Sequence, residues 1–597
     1  MRNLLFLFFL VLSVNLYCQN DNHWKEVYKY ELDGKVASAQ KKVQEIYKIA
    51  KRKKNEVQIV KCFFYLSKFE QVFDEKAQTT IIQNLRKEIN EANPASKALL
   101  YYIYGNILQD YYNAFSYQIK QRTTLAEQKN NDFLTWTSAN FEKEIENAFS
   151  NCIENEKKLR LITIDSFKEV FEIAPNIDQK NYSLYDFLAE KTVLHYKVKI
   201  NTRDIKSNNK NNDLFENLYV DSKKFINYKT THLEDENLKK LLQILQKNEQ
   251  HYLSTNNNKI DIAYYERLKF AHSIFQNDSV FQKHISLLEK NTSDILLKQQ
   301  LRIDRAKFYT SQASKDSKIN MHYKALALID TIFQSKVNIN ALADAEKIKF
   351  DIESKWLSIE FEKTIYPNQN SRALVNFKNI DSIKISYYLL PVKNNDWFNN
   401  NNYYRNNKTF NTDSLVLDFK NKHIPIKSYI RKLPSKGDYF QYSTEILLEK
   451  MDVGNYLVVL ETTTDSFNSK TFFTYDRIEV TNFFVVEDNL FTKDSFSVLD
   501  RKTGKPIETV FFRNEEETIA TNEQGKANFK LKKYDNERKY DQSILIFKDN
   551  DTLKKTYNRN FIYDNNSQVK YDKYEHFEAK AMIYFDRAIY RPGQKLY

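Results

Sequence analysis

The first half of the chain spaces its apolar residues as α-helices do. Leu238, Leu241, Leu242 and Leu245 fall at i, i+3, i+4 and i+7, which is one face of a helix with 3.6 residues per turn. Comparable spacing extends from about residue 20 to 345, interrupted by short polar segments. We therefore expect residues 19–350 to form an α-helical region of packed helix pairs, arranged like a solenoid.

Start signals support this helical prediction. Asn93 followed by Pro94 offers a capping side chain and a residue preset for the first turn. Ser183 and Asp186 have the spacing of a capping box. The polar stretch 201–213 (NTRDIKSNNKNND) is predicted to be a loop.

Near residue 355 the apolar period changes from 3.6 to 2, which predicts half-buried antiparallel strands. The alternating apolar positions are Leu357, Ile359 and Phe361; Ala373, Val375 and Phe377; Ile383, Ile385, Tyr387 and Leu389; and Ala527, Phe529 and Leu531. Eleven of the fifteen Gly and Pro residues also follow residue 360, as expected for many short strands joined by turns. We predict one β-sandwich over 355–485 and another over 488–575. The Asn-rich tract 399–407 is predicted to be an exposed loop in the first.

The N-terminus has the form of a secretory signal peptide. Arg2 precedes the apolar run 4–14 (LLFLFFLVLSV), which is too short for a stable membrane span. Residues 1–18 are predicted to be the leader, cut between Cys18 and Gln19. Lipidation of Cys18 is the alternative. No other run is long enough for a membrane helix, so we expect an exported chain in the periplasm or cell envelope, with no transmembrane segment once mature.

Composition and charge restrict the function classes. The formal charge is +13, from 91 Lys and Arg against 78 Asp and Glu. Spread over 597 residues this excess is small, and we expect no nucleic-acid partner. Cys62 and Cys152 remain after the leader, and the sequence leaves open whether they form a disulfide.

Motifs of catalysis are missing from the sequence. The histidines are scattered without metal-ligand spacing, and no GxSxG, GxxxxGK[ST] or CxxC motif occurs. We therefore predict that the chain is not an enzyme, with no catalytic residues, no cofactor and no metal. The segment 152–155 (CIEN) faintly resembles the Cys-Gly-Glu-Gln of internal thioesters but lacks its final Gln, and a buried structural cysteine is the preferred interpretation.

The most specific pattern lies at residues 584–597 (YFDRAIYRPGQKLY). A strand there approaches a turn made by Pro592 and Gly593. The stretch closely resembles the opening of the second macroglobulin-type domain in the alpha-2-macroglobulin family, TDRPIYRPGQ. Phe585 and Ala588 depart from that pattern. The matching residues are Asp586, Arg587, Ile589, Tyr590, Arg591, Pro592, Gly593 and Gln594.

Three looser resemblances agree with it. The segments 500–506 (DRKTGKP) and 521–525 (TNEQG) are similar to hairpins of bacterial family members. Residues 365–368 (IYPN) resemble the start of the family's first macroglobulin-type domain. The helical segment 183–189 (SLYDFLA) is similar to a motif found ahead of these domains in large Bacteroidetes members.

The resemblance implies macroglobulin-type sandwiches and, over 576–597, the truncated start of a further one, because a sandwich needs about 100 residues. It implies that a longer parent protein is a broad-spectrum endopeptidase inhibitor. The family traps proteases through a bait segment and, in many members, a Cys–Gln thioester. Neither is identified in these 597 residues, which would be scaffold. The alternative is a cell-envelope interaction module that traps no protease.

Overall fold

The computed structural model describes residues 22–73, 77–122, 133–170, 182–207, 212–255, 257–315, 319–335, 339–392, 394, 402–405, 408–463, 472–490, 493–514, 517–529 and 541–558. By its internal contacts the chain divides into two compact units. One comprises Met1–Ser311 with Ala325–Ala345, and the other comprises Gln312–Lys324 with Glu346–Tyr597.

The described residues up to 353 fold into helices. Their bounds are α1 Asn22–Leu32, α2 Val36–Lys53, α3 Glu56–Phe73, α4 Ala77–Glu91, α5 Pro94–Ala114, α6 Ser116–Lys120, α7 Ser138–Asn151, α8 Glu156–Leu159, α9 Leu184–Lys199, α10 Thr202–Ser207, α11 Asn212–Tyr219, α12 Ser222–Phe225, α13 Glu236–Ser254, α14 Lys259–Phe275, α15 Asp278–Asn291, α16 Ile295–Ser311, α17 Met321–Ser335 and α18 Ile339–Glu353. None of the described helices is both long and apolar enough to cross a membrane.

The predicted helix signals are confirmed. The Asn93 side chain accepts hydrogen bonds from the backbone N–H groups of Ala95 and Ser96, which caps α5. Ser183 and Asp186 form the capping box of α9. The four leucines of α13 are buried in a core shared with other helices. The solenoid-like arrangement of the region stays a prediction.

The loop predicted over 201–213 is wrong. The described part of that stretch contains α10 and the start of α11. Two apolar residues, Ile205 within the stretch and Leu214 just after it, are buried in the same core as α13. Burial of these side chains stabilises helices that local composition does not favour.

The described residues after 355 form strands and one helix. Their bounds are β1 Trp356–Phe361, β2 Thr364–Ile365, β3 Ser371–Lys378, β4 Ser382–Leu389, β5 Asn402–Arg405, β6 Lys408–Asn411, α19 Thr412–Lys422, β7 Lys427–Lys432, β8 Gln441–Leu448, β9 Gly454–Thr462, β10 Phe473–Val480, β11 Phe483–Leu490, β12 Lys493–Asp500, β13 Phe511–Arg513, β14 Thr518–Ala520, β15 Lys526–Phe529, β16 Asp541–Lys548 and β17 Asp551–Asn558.

The first sheet pair consists of the sheet β1-β3-β8 and the sheet β2-β10-β9-β4-β7. One apolar core takes residues from both sheets, including Phe377 of β3 and Val458 of β9. The expectation of purely antiparallel sheets is wrong at one place, because the two-residue strand β2 pairs with β10 in parallel. Strand β2 has only two residues and lies at the edge of the five-stranded sheet.

Strand β4 departs from simple alternation. Ile383, Ile385 and Tyr387 are buried as predicted, but Leu389 is 59% exposed. Tyr388, on the face expected to meet water, packs instead with Phe419 of α19 in a second apolar cluster. Because α19 covers this face of the sheet, the central strands are buried on both sides at this end.

The predicted Asn-rich loop is also wrong in part. Strands β5 and β6 pair antiparallel as a two-stranded sheet, with Tyr403 opposite Phe410 and Tyr404 opposite Thr409. Aromatic and β-branched residues favour strands, and they outweigh the flanking asparagines. Residues 399–401 and 406–407 of the tract lie outside the described residues.

The second sheet pair consists of β11-β12-β15 and β14-β13-β16-β17. Its core includes Phe496 and Val498 from the first sheet and Phe512, Ile544 and Ile546 from the second. Strand β11 begins at Phe483. The bounds 355–485 and 488–575 of the two sandwiches stay predictions. The macroglobulin type of the two pairs stays a prediction, and positions 559–597, which include the expected further domain, lie outside the described residues.

Candidate functional site

The residues singled out from the sequence fall largely outside the described part of the chain. This holds for the predicted cleavage site, Cys18 and Gln19, and for the whole C-terminal signature: Asp586, Arg587, Ile589, Tyr590, Arg591, Pro592, Gly593 and Gln594. Any site among the described residues is therefore formed by other side chains.

The two cysteines are separate, buried thiols. Neither Cys62 nor Cys152 forms a disulfide with another described residue. The Cys152 thiol donates to the Phe149 carbonyl at 3.0 Å and lies 3.3 Å from the Thr192 hydroxyl. Burial raises the pKa of the Cys152 thiol to about 12. A thiol held protonated and shielded in this way is structural, as the sequence interpretation preferred.

A histidine–carboxylate pair borders a surface groove of about 380 Å³ between α14, α15 and α16. His272 Nε2 lies 2.8 Å from Asp278 Oδ1, which resembles half of a catalytic triad. The neighbouring hydroxyl of Ser273 donates to the Phe270 carbonyl of its own helix at 2.7 Å. That hydroxyl is satisfied by the backbone rather than by the imidazole, so the arrangement supplies no activated nucleophile.

No group of three or more His, Cys, Asp or Glu side chains among the described residues is arranged to hold a metal ion.

The helical motif at 183–189 places a buried carboxylate at the centre of a polar network. Asp186 accepts from the Ser183 backbone N–H at 3.1 Å, from Arg160 at 3.1 Å and from the Tyr252 hydroxyl at 2.5 Å. Lys259 lies 3.4 Å from its second oxygen. Arg160, Tyr252 and Lys259 come from outside α9. The network therefore connects α9 with three other segments of the helical unit, by which we mean Met1–Ser311 with Ala325–Ala345. Every carboxylate contact is internal, which indicates a structural role.

The most informative constellation lies where the two sheet pairs meet, and we call Thr364, Asn482, Arg501 and Asp551 the joint. Arg501 follows β12, and its backbone N–H donates to the Asn482 carbonyl at 2.8 Å. Its guanidinium donates to the carbonyls of Phe483 and Thr364, each at 3.3 Å. Thr364 belongs to β2 of the first pair, so one side chain spans both pairs.

The joint also contains a carboxylate, that of Asp551. Asp551, the first residue of β17, accepts from the backbone N–H of Asn482 at 2.7 Å and from its side-chain amide at 3.2 Å. Burial raises the pKa of the Asp551 carboxyl, and burial lowers the pKa of the Arg501 guanidinium. Asn455 of the first pair also reaches the Thr552 carbonyl, at 3.5 Å.

The turn that presents Arg501 is built by its neighbours. Asp500 accepts from the backbone N–H groups of Lys502 and Thr503, at 3.1 and 2.7 Å, and from the Thr503 hydroxyl at 2.8 Å. Gly504 follows with a φ of +70°, a conformation that glycine adopts at little cost. The arrangement can position two domains relative to each other, and it offers no chemistry for a substrate.

Comparisons with known proteins find only distant similarity. No protein-family model matches the chain, and no curated protein matches it. Among solved structures, it is similar to native alpha-2-macroglobulin from Escherichia coli spanning domains MG0-NIE-MG1, at 13% identity and a TM-score of 0.24, over 33% of this chain and 63% of that one. A second fragment of that protein, spanning NIE-MG1, matches at 14% identity and a TM-score of 0.24, over 33% of this chain and 95% of that one.

Red sea bream transglutaminase is also similar, at 10% identity and a TM-score of 0.16, over 36% of this chain and 33% of that one. The chain thus spans less than two thirds of the first of these structures. At these TM-scores the likeness is local, and no family is assigned from it.

The segment 500–506, expected to resemble a hairpin, does fold back on itself, with the Asp500 N–H donating to the Lys505 carbonyl at 2.7 Å, but no pattern in the sequence pointed to the joint. The partner of Arg501 in β2 lies 137 residues upstream, and no local pattern connects the two.

Proposed function

We propose that this chain is the N-terminal scaffold of an exported, alpha-2-macroglobulin-like inhibitor of endopeptidases. The observation that carries the proposal is the sequence motif spanning Asp586–Gln594, which lies C-terminal to two consecutive sheet pairs that end at Asn558. A family whose members string such domains together is the simplest account of that order.

The role of the described residues in this proposal is positional. A trap that encloses a protease needs domains held at defined separations until cleavage releases them. The joint supplies such a connection, because Arg501 of the second pair binds the Thr364 carbonyl of the first pair, and Asp551 binds Asn482, which lies between the pairs. The bait segment and the thioester belong to the family resemblance and would be supplied by other parts of the parent protein.

The proposed location is the periplasm or cell envelope, after removal of residues 1–18 or with a lipid on Cys18. The proposed partners are endopeptidases, which would be met by the parent protein. The rival function is an envelope interaction module that binds a partner without enclosing it.

The test is an inhibition assay on the product of the longest reading frame that contains this chain. The product is incubated with trypsin, elastase and subtilisin, and each protease is then assayed on casein and on a small chromogenic peptide. Enclosure predicts that casein cleavage falls while small-peptide cleavage persists, because only the small substrate diffuses to the enclosed active site.

The 597-residue chain serves as the control and should leave both activities unchanged. Equal activity on both substrates for every protease would contradict the proposal and favour the interaction module. Loss of both activities would also contradict it, because that result indicates a blocked active site rather than an enclosed protease.

A further inference from the structure

Strand β7 forms an open edge of the five-stranded sheet. In the part of the chain that the structure describes, β7 pairs with β4 alone. The Leu433 N–H donates to the Asp381 carbonyl, which sets the phase of the antiparallel ladder. By that phase the backbone groups of Ser428, Ile430 and Lys432 point away from β4. They form a row of donors and acceptors ready to pair with another strand.

Apolar side chains cluster along this edge. Ile424 is 90% exposed, Ile426 is 54% exposed and Ile430 is 60% exposed. Leu447, on the neighbouring edge strand β8 of the other sheet, is 46% exposed. Single exposed apolar residues are ordinary, but three isoleucines within seven residues of one open edge form a surface with binding capacity.

The same edge carries an excess of positive charge. Lys427 and Arg431 share one carboxylate, Glu449, at 2.6 and 3.6 Å. Lys432 is exposed and makes no ion pair with any described residue. Two or more cations against one anion leave the edge complementary to an acidic ligand.

We propose that β7 is a docking edge for an extended segment of a partner protein in which apolar and acidic side chains alternate. The segment adds as a further strand: its backbone pairs with Ser428, Ile430 and Lys432, its apolar side chains cover the isoleucines, and its carboxylates face the cations. Pro425 and Pro434 flank the edge and lack N–H groups, so the added strand is short.

A second copy of this chain fits the edge less well. Pairing of two β7 strands would gather Lys427, Arg431 and Lys432 of both copies at one short junction, and the repulsion among these like charges is unfavourable. This inference goes beyond the proposed inhibitor scaffold and does not depend on it.

The test is a binding titration of the full chain with fluorescein-labelled peptides, followed by fluorescence anisotropy. The probes are a peptide of four Val-Glu repeats, its Val-Lys counterpart, and the Val-Glu peptide with a central proline. We expect binding of the Val-Glu peptide alone. Equal binding of the proline-containing peptide would overturn strand pairing, and equal binding of the Val-Lys peptide would overturn the charge argument.

Variants of the chain locate the site. Ile430→Pro removes an N–H that points away from β4 and should weaken binding at least about tenfold, with an unchanged thermal melt. Ile430→Thr should also weaken binding, whereas Ile339→Thr, at a helix position 58% exposed, should not. Equal affinity of Ile430→Pro and the parent chain would overturn the proposal. So would a dimer detected by light scattering that Ile430→Pro dissolves, because the occupant would then be a second copy.

Discussion

The helical unit and the sheet pairs solve the same packing problem with different chemistry. The helical unit encloses an ion pair in its interior: Arg267 and Glu249 are each fully buried and joined by hydrogen bonds of 2.7 and 3.2 Å. Arg267 also donates to the carbonyls of Leu218 and Val220, at 2.7 and 3.0 Å. The first sheet pair also buries two carboxylates, Glu461 and Glu479, but their cations, Lys420 and Arg477, stay partly exposed, so no ion pair there is fully enclosed.

The two regions differ because different contacts fix the relative positions of neighbouring strands and of neighbouring helices. Neighbouring strands are locked by backbone hydrogen bonds, so an apolar face suffices to choose one arrangement. Helices have no such ladder between them, and similar apolar stripes can pack in several ways. We infer that buried polar pairs such as Arg267–Glu249 and Arg160–Asp186 select one arrangement of the helices.

The largest effect is expected for Arg267→Leu. The substitution leaves the Glu249 carboxylate buried without its partner, and we expect the helical unit to lose about 3–5 kcal/mol. Urea unfolding followed by ellipticity at 222 nm measures the loss. Lys269→Ala, which removes the exposed Glu266–Lys269 pair on the same helix, should cost less than about 1 kcal/mol. Equal effects of the two substitutions would refute the inference.

The matching perturbation in the sheets acts on the backbone. A Cβ at Gly525, where φ is +70°, would lie 2.5 Å from the Val498 carbonyl oxygen. We expect Gly525→Ala to destabilise the second sheet pair by about 3 kcal/mol, from backbone strain plus the clash. Gly504→Ala is the matched control, because φ is again +70° but nothing lies within 4 Å.

That control should cost about 1 kcal/mol from the backbone conformation alone. The measurement is urea unfolding of both variants, read from near-ultraviolet circular dichroism. Similar losses for the two glycines would show that the close approach to Val498 contributes nothing.

Acid should destabilise the helical unit through His195. Its ring stacks on Phe149 at 3.7 Å, and burial together with Lys199 and Lys240 lowers its pKa to about 4, against a smaller opposing effect of Glu146. The unfolded chain takes up a proton below pH 6.5 that the folded chain resists. Stability therefore falls as the pH falls from about 6.5 to 4.

With allowance for partial solvent screening, the loss attributable to His195 is about 1–2 kcal/mol. His195→Phe keeps an aromatic ring on Phe149 and removes the titrating group. The difference in unfolding free energy between pH 7 and pH 4.5 should shrink by that amount in the variant. An unchanged pH dependence would show that His195 is not the responsible group.

The sequence predicted local structure better than it predicted long-range contacts. The change of period at 355, the Asn93 cap and the Ser183–Asp186 box depend on neighbours within a few residues, and all three are present. The loop at 201–213 was mispredicted because two buried side chains, Ile205 and Leu214, outweigh a polar composition. The outer face of β4 was mispredicted because the covering helix, α19, begins more than twenty residues after the strand.

The joint could not be predicted because its residues are even farther apart in the sequence. Arg501 and Asp551 are both ordinary surface residue types in turn-rich segments, and nothing in their local sequence indicates burial. Their function as connectors arises only when β2, β12 and β17 are brought together by the fold.

A distance measurement shows whether the joint holds the two sheet pairs in one arrangement. Spin labels at Glu360→Cys and Lys526→Cys, in a Cys18→Ser background, report the separation of the pairs by double electron–electron resonance. Native Cys62 and Cys152 are buried and should stay unlabelled.

We expect one narrow distance distribution, which broadens in the Arg501→Ala, Asp551→Ala double variant and stays narrow in Arg513→Ala, whose side chain lies over Phe547 within the second pair. A distribution already broad before substitution, or one that the double variant leaves narrow, would contradict the account.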